Sequence, residues 1–280
     1  MALSLMYITN SPQVAEIAQD AGVNRLFVDM EYIGKEDRQA GMNTVKSHHT
    51  FSDIENIKNV TASGSSELLV RVNPIHVATS KYSSSKEEIE TAIACGADIL
   101  MLPMYRSRDE VDQFLSIVNG KVKTMLLLET KEACESAEEI VKAGGFDELH
   151  IGLNDLHLAY HLNFMFELLA DGTVDRLAML MQEYNIRFGF GGIARVGYGT
   201  LPAEYIIREH YRIGSQAAIL SRSFCNANIV TDMDELKEVF KKGIMDIRAC
   251  EKSAESMTEE ELLKNHVVVT ELVNDIKNKI

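Results

Sequence analysis

The sequence predicts an α/β chain folded as one (β/α)8 TIM barrel with extra C-terminal helices, and three observations carry that expectation. Eight short apolar runs recur along the 280 residues, most of them followed by an amphipathic, helix-prone segment. The runs are near-continuous in apolar character, as strands buried on both faces of a parallel sheet are. Polar and charged residues stand at the C-terminal ends of several runs, the end at which barrels of this class build their active sites.

The candidate strands are Ser4–Ile8, Arg25–Glu31, Glu67–Asn73, Ala97–Met104, Thr124–Glu129, Glu148–Gly152, Arg187–Gly191 and Gln216–Ser221. Between them, helices are expected at Pro12–Ala21, Lys86–Cys95, Arg108–Val118, Lys131–Ala143 and Ala203–Ile213. Ser11-Pro12 and Ser107 supply helix starts, and Gly22, Gly96, Gly144 and Gly214 follow helix ends. The alternative, an open doubly wound sheet, lacks support because no GxGxxG motif follows the first strand. After the eighth strand come a helix near Met233–Lys252 and a further helical segment, Thr258–Ile280. The chain is therefore expected to be a single domain over 1–280, with 253–280 an extension that packs on a neighbouring subunit or caps the barrel. Two longer segments, Tyr32–Ser66 after strand two and Leu156–Tyr184 after strand six, are expected as insertions at the C-terminal face.

Composition narrows the function classes. Hydrophobic residues make up 46% of the chain, enough for a full core, and the net charge of −14 argues against nucleic acid or a membrane surface as partner. The same acidity fits a soluble cytoplasmic protein. Cys95, Cys134, Cys225 and Cys250 are scattered, with no CxxC pair, so neither a zinc site nor a redox motif is expected. No signal peptide and no membrane-spanning run is evident. The expected partners are small molecules and other copies of the chain in a homo-oligomer.

The chemistry is expected at the strand ends. Strand two ends in Asp29-Met30-Glu31, strand three carries Arg71 and Asn73, strand five ends in Glu129-Thr130, and strand six runs into Gly152-Leu153-Asn154-Asp155. Charges in such runs are expensive to bury unless they are paired or hold a metal. Glu129 and Asp155 are hard oxygen donors suited to Mg2+ or Mn2+, the alternative being that each pairs with an arginine. Arg71 is either the clamp for a substrate carboxylate or the partner of Asp29 or Glu31 in an ion pair. Asp29 and Glu31 share a strand face and would orient Arg71 or coordinated waters. Backbone N–H groups of the Gly152–Asp155 turn could face a developing enolate oxygen. Gly191-Gly192-Ile193-Ala194-Arg195 follows strand seven, where barrels often bind phosphate, although a tight turn also explains the glycines. His157 and His161 are spaced by four without an HExxH motif and read as helix-surface residues. His48 and His49 are read as surface histidines or as a general base. Lys121 and Lys123 fall at the start of strand five, which counts against a Schiff-base mechanism.

The motifs Asp29-Met30-Glu31, Val70-Arg71-Val72-Asn73-Pro74, Gly96-Ala97-Asp98 through Leu102-Pro103, Leu128-Glu129-Thr130 and Gly152-Leu153-Asn154-Asp155-Leu156 occur in order and at barrel spacing. Together they resemble the HpcH/HpaI aldolase and citrate lyase β-subunit family, from about Arg25 to Ser221. The resemblance implies a divalent-metal enzyme, using Mg2+ or Mn2+, that makes or breaks a carbon–carbon bond beside pyruvate, oxaloacetate or an acyl thioester. It implies that Glu129 and Asp155 hold the metal and that Arg71 binds the keto-acid carboxylate. It also marks departures. Tyr32 stands where family aldolases have histidine, Leu127 where they often have glutamine, and Leu153 where the turn usually has proline. Lys35 and Arg38 resemble the basic stretch of the citrate lyase branch, and either meet an anionic substrate tail or are simply solvated.

Three functions are compatible with these residues. The first is a metal-dependent carbon–carbon lyase acting on a 2-keto acid, with Tyr32, His48, His49 or a coordinated water moving the proton. The second is phosphoenolpyruvate-dependent transfer, with Arg195 or Lys35 taking phosphate. The third is a non-catalytic keto-acid-binding homologue.

Overall fold

In the computed structural model, which describes residues 2–34, 49–227, 229–230 and 232–279, eight parallel strands close into a barrel in the order β1 to β8. The strands are β1 (Ser4–Ile8), β2 (Arg25–Asp29), β3 (Glu67–Arg71), β4 (Ile99–Leu102), β5 (Lys123–Leu128), β6 (Glu148–Ile151), β7 (Arg187–Ile193) and β8 (Ala217–Leu220). β1 pairs with both β2 and β8, which closes the ring. The helices between strands are α1 (Pro12–Asp20), α2 (Phe51–Thr61), α3 (Ser85–Ala94), α4 (Arg108–Val118), α5 (Lys131–Glu135), α6 (Ala137–Ala143), α7 (Leu153–Ala159), α8 (Glu167–Ala170), α9 (Thr173–Glu183) and α10 (Ala203–Arg212). Two C-terminal helices follow, α11 (Met233–Glu255) and α12 (Glu259–Lys277). None of the described helices is long and apolar enough to cross a membrane.

The alternation of side chains along each strand divides the apolar residues into two cores. Met6, Phe27, Leu69, Ile99, Met101, Met125, Leu127 and Ala217 fill the barrel interior. Their neighbours in sequence, such as Leu5, Leu26, Val28, Leu68, Val70, Leu126 and Leu128, pack outward against the helices. The interior residues fix the direction of what comes two positions later. Asp29 follows Phe27, Arg71 follows Leu69, and Glu129 follows Leu127, so all three are directed toward the inside of the C-terminal mouth.

Several sequence expectations need correction. Tyr32–Ser66 is not wholly an insertion, because α2 occupies its second half and packs as the ordinary barrel helix between β2 and β3. Thr50 and Asp53 form a reciprocal capping box at its start, and Ile54 and Ile57 are buried one turn apart. Leu156–Tyr184, expected to hold two helical pieces, contains α8 and α9, the latter being the barrel helix before β7. Lys131–Ala143 is two helices rather than one, broken at Ser136. Strands two to six and strand eight end one or two residues earlier than expected, where the chain leaves the ladder to build the mouth loops, while strand seven runs two residues further, to Ile193.

One face of α12 packs on its own barrel. Asn265 donates to the Tyr205 carbonyl oxygen and to Glu209, His266 lies 2.9 Å from the same Glu209, and Lys277 pairs with Glu167 at 2.6 Å.

Candidate active site at the barrel mouth

The mouth is organised around Arg71. Asp29 and Arg71 are directly paired in the β2–β3 register. The Arg71 guanidinium donates from Nε (2.9 Å) and Nη2 (2.8 Å) to the two Asp29 carboxylate oxygens. Its Nη1 lies 3.3 Å from Glu31 Oε2, and the Phe27 ring lies 5.6 Å below it. Asp29 and Glu31 are each about 2% exposed, so the ion pair is largely out of water. Burial pulls the Arg71 pKa down, but Asp29, Glu31 and Glu129 outweigh it and hold the guanidinium well above its ordinary value. Arginine has five N–H donors, and the two carboxylates occupy three of Arg71's, leaving two at the outer fork. The ion-pair and clamp readings of Arg71 are therefore compatible.

Glu129 follows β5 and is 3% exposed. Its Oε1 accepts the Met104 N–H at 3.1 Å, and Met104 adopts a left-handed backbone (φ 53°) that costs a non-glycine residue on the order of 1 kcal/mol. Thr130 donates to the Tyr105 carbonyl oxygen at 2.7 Å and caps α5, fixing the chain on the other side of Glu129. Gly152 must be glycine here, since a Cβ would lie 2.9 Å from Glu129 Oε2. The Glu129 carboxylate thus rests against the backbone that leads into α7, whose first turn carries Asp155.

A second group of bonds sets the loop after β2. Asn73 Oδ1 accepts the N–H groups of both Tyr32 (2.8 Å) and Ile33 (2.9 Å). Asn73 is itself held by Glu88 Oε1, which accepts its backbone N–H and its Nδ2–H, each at 2.9 Å. Burial raises the Glu88 pKa. His49 is 7% exposed, and its Nδ1 accepts the Asp29 N–H at 3.0 Å, so the neutral ring carries its proton on Nε2. The Tyr32 hydroxyl donates to the His49 carbonyl oxygen. Burial and the charge of Asp29 push the Tyr32 pKa up to about 12. The Tyr32 hydroxyl thus fastens the loop, and its raised pKa makes it a poor base near neutral pH.

The remaining candidates are distributed as follows. Leu127 is part of the barrel interior, and Leu153 is buried with its side chain toward Gly191, so Leu153 offers only its backbone to the mouth. Asn154 is exposed. α7 has no side-chain cap at its start. His157 Nδ1 lies 3.2 Å from the Leu153 carbonyl oxygen, within its own helix, and His161 sits in a left-handed turn. Lys35, Arg38 and His48 lie outside the described residues. Sequence reasoning missed the roles of Met104, Glu88 and Asn73. Of these only Asn73, a polar residue in an apolar run, left a signal in the letters.

Among the described residues, no group of three or more His, Cys, Asp or Glu side chains could hold a metal ion. The donor chemistry instead fits an ion that takes two protein carboxylates and completes its shell from substrate and solvent oxygens. Glu129 and Asp155, the expected pair, stand just after β5 and in the first turn of α7. Asp29, Glu31 and Glu129 all act on the one arginine, Arg71.

Comparison with known proteins agrees with this architecture. The profile of the HpcH/HpaI aldolase/citrate lyase family matches residues 3–163. No curated protein matches the chain at a significant level. Among solved structures, the chain resembles an HpcH/HpaI aldolase from Desulfitobacterium hafniense DCB-2 (15% identity, TM-score 0.60, 79% of this chain and 86% of that one). It also resembles an HpcH/HpaI aldolase/citrate lyase family protein from Burkholderia cenocepacia J2315 (16% identity, TM-score 0.63, 84% and 95%). A third similar structure is the citrate synthase SbnG (12% identity, TM-score 0.62, 85% and 94%). With a closed eight-stranded barrel and a profile match over more than half its length, the chain belongs to the HpcH/HpaI aldolase/citrate lyase family.

Proposed function

We propose that the protein is a divalent-metal-dependent enzyme that cleaves or forms a carbon–carbon bond beside a 2-keto acid, by way of a pyruvate-type enolate. The observation that carries this reading is the convergence of Asp29, Glu31 and Glu129 on one largely buried arginine, Arg71, at the mouth of a barrel of this family, with two of its N–H groups left for a substrate carboxylate. Mg2+ or Mn2+ held by Glu129 and Asp155 would supply Lewis-acid polarisation of the keto group.

The chain's own residues account for the rest. Arg71 receives the substrate carboxylate on its outer fork, while Asp29 and Glu31 keep the guanidinium charged and fixed in direction. The apolar floor of Phe27 and Leu127 below the mouth lowers the local dielectric, which strengthens the guanidinium's hold on developing negative charge. His49, whose Nδ1 accepts the Asp29 N–H, would serve through Nε2–H as a hydrogen-bond donor to the carbonyl or enolate oxygen, while a water in the mouth takes the methyl proton and returns it on reprotonation. The Leu153 and Asn154 backbone amides at the start of α7 offer further donors. The same groups serve cleavage and condensation, since both pass through the same enolate.

The test needs no knowledge of the second substrate. In D2O, the methyl protons of pyruvate should exchange for deuterium in the presence of protein and Mg2+ or Mn2+, followed by proton NMR. Exchange should stop with chelator and fall about 100-fold in Glu129→Gln and in Arg71→Gln. No exchange by the metal-loaded wild type, or exchange unchanged in both variants, would refute the reading.

A further inference from the structure

A cavity of about 380 Å3 lies where the loops after β7 and β8 meet the first turns of α11. Arg195, Tyr198, Arg222, Ser223 and Glu235 are among its lining residues. Two arginines thus face one glutamate on its wall, in a chain whose net charge is −14.

Arg195 is held in place without a carboxylate. The Tyr198 N–H donates to the Arg195 carbonyl oxygen at 2.9 Å, and the turn this closes sets the guanidinium 4.4 Å above the Tyr198 ring. Gly199 continues the loop at φ +99°, where a Cβ would lie 2.8 Å from the Leu201 carbonyl oxygen. On the other side α11 approaches closely at Gly243, where a Cβ would come within 2.7 Å of the Phe224 ring and 3.7 Å of Arg195 Cγ. The side chain is therefore wedged between a helix and an aromatic ring, and its buried Nε donates to no acceptor among the described residues. Arg25, Arg71, Arg108, Arg187, Arg212 and Arg248 all form ion pairs with carboxylates. Arg195 forms none among the described residues. A buried, oriented guanidinium N–H with no acceptor is costly unless a ligand supplies one.

We propose that this cavity binds the phosphate group of a small organic phosphate, with Arg195 as its principal anchor. A fixed guanidinium such as that of Arg195 suits a phosphate dianion better than a monocarboxylate, since its planar fork pairs with two oxygens at a time and the second charge adds to the attraction. The Ser223 position adds a hydroxyl. The ligand's organic part would lie along Phe224 and Val239 and against Tyr198 and Ile229, which are 54% and 76% exposed. The site is separate from the Arg71 cluster and does not depend on enolate chemistry there.

Calorimetric titration of chelator-treated protein with inorganic phosphate, phenyl phosphate and benzoate, at constant ionic strength, tests this. Saturable binding of both phosphates is expected, with phenyl phosphate the tighter and benzoate at least 10-fold weaker. Arg195→Gln should weaken phosphate at least 10-fold, Arg195→Lys should fall between it and wild type, and Arg71→Gln should stay within about twofold of wild type. If Arg195→Gln does not fold, the Arg195→Lys titration carries the test on its own. Absence of saturable phosphate binding would overturn the proposal. So would binding that survives Arg195→Lys unchanged or disappears in Arg71→Gln, since the anion would then sit at the mouth.

Discussion

The two ends of the barrel treat buried charge in opposite ways. At the N-terminal end Arg25, 1% exposed, donates to both Glu148 oxygens at 2.7 and 2.6 Å and to Glu67 at 3.1 Å. Lys123 completes Glu67 at 2.6 Å, and Arg187 approaches Glu148 at 3.7 Å. Three cations there enclose two carboxylates, and the cluster is closed. At the C-terminal end Arg71 faces Asp29, Glu31 and Glu129, with Asp155 on the adjoining turn. A closed cluster contributes to holding the strands in register, whereas carboxylates gathered on one arginine at the mouth are placed where a ligand's charge could meet them.

The largest expected effect tests the closed end. Arg25→Met would leave the buried Glu148 without its main partner, costing about 3–5 kcal/mol and lowering the melting temperature by on the order of 10 °C. A shift of only a degree or two would show that this cluster is not structural.

The next effect concerns pH. His150 faces the barrel interior, where Gly189 makes room for its ring, and His210 stacks on Phe190 at 3.8 Å. Burial lowers their pKa values to about 4 and about 3 respectively. Above the unfolded value near 6.5 both states are neutral and neither histidine affects stability. Below it the unfolded chain binds protons that the folded one refuses, so stability falls by about 1.4 kcal/mol per pH unit for each histidine until the folded value is reached. Denaturation midpoints between pH 6.5 and 5 should show this slope, about halved in His150→Gln. An unaltered slope would remove His150 from the account.

A smaller effect sharpens the picture of the mouth. Asn73→Ala would release the Tyr32 and Ile33 amides, costing about 2 kcal/mol. Hydrogen exchange should accelerate at those two amides while β5 and β6 stay protected; equal protection would mean the loop is held by other bonds. The smallest effect has the opposite sign. In metal-free protein Glu129→Gln keeps an acceptor for Met104 N–H and removes one charge from the mouth, so it should be neutral or stabilise by about 1 kcal/mol. A strong destabilisation would make the mouth a structural ion cluster like the base.

Much of this architecture was legible in the sequence, for a physical reason. Buried parallel strands are apolar runs, so a charge within one is conspicuous, and Asp29, Arg71, Glu129 and Asp155 could be marked from the letters alone. The structure adds what depends on contact at a distance. Arg25 and Glu148 are 123 residues apart, and nothing in either strand announces their pairing. The left-handed backbone of Met104 and the twofold grip of Asn73 on the Tyr32–Ile33 amides arise only when neighbouring loops meet. Helix α2 went unread because the long polar stretch before it hid a clear signal, the Thr50–Asp53 capping box.

The account turns on whether Glu129 and Asp155 at the mouth form a cation site. Calorimetric titration of Mn2+ into wild type, Glu129→Gln and Asp155→Asn measures this directly, with or without pyruvate. One bound Mn2+ in the wild type, strengthened by pyruvate and weakened at least 10-fold in both variants, is the predicted result. No Mn2+ binding by the wild type, or equal binding by all three proteins, would contradict it.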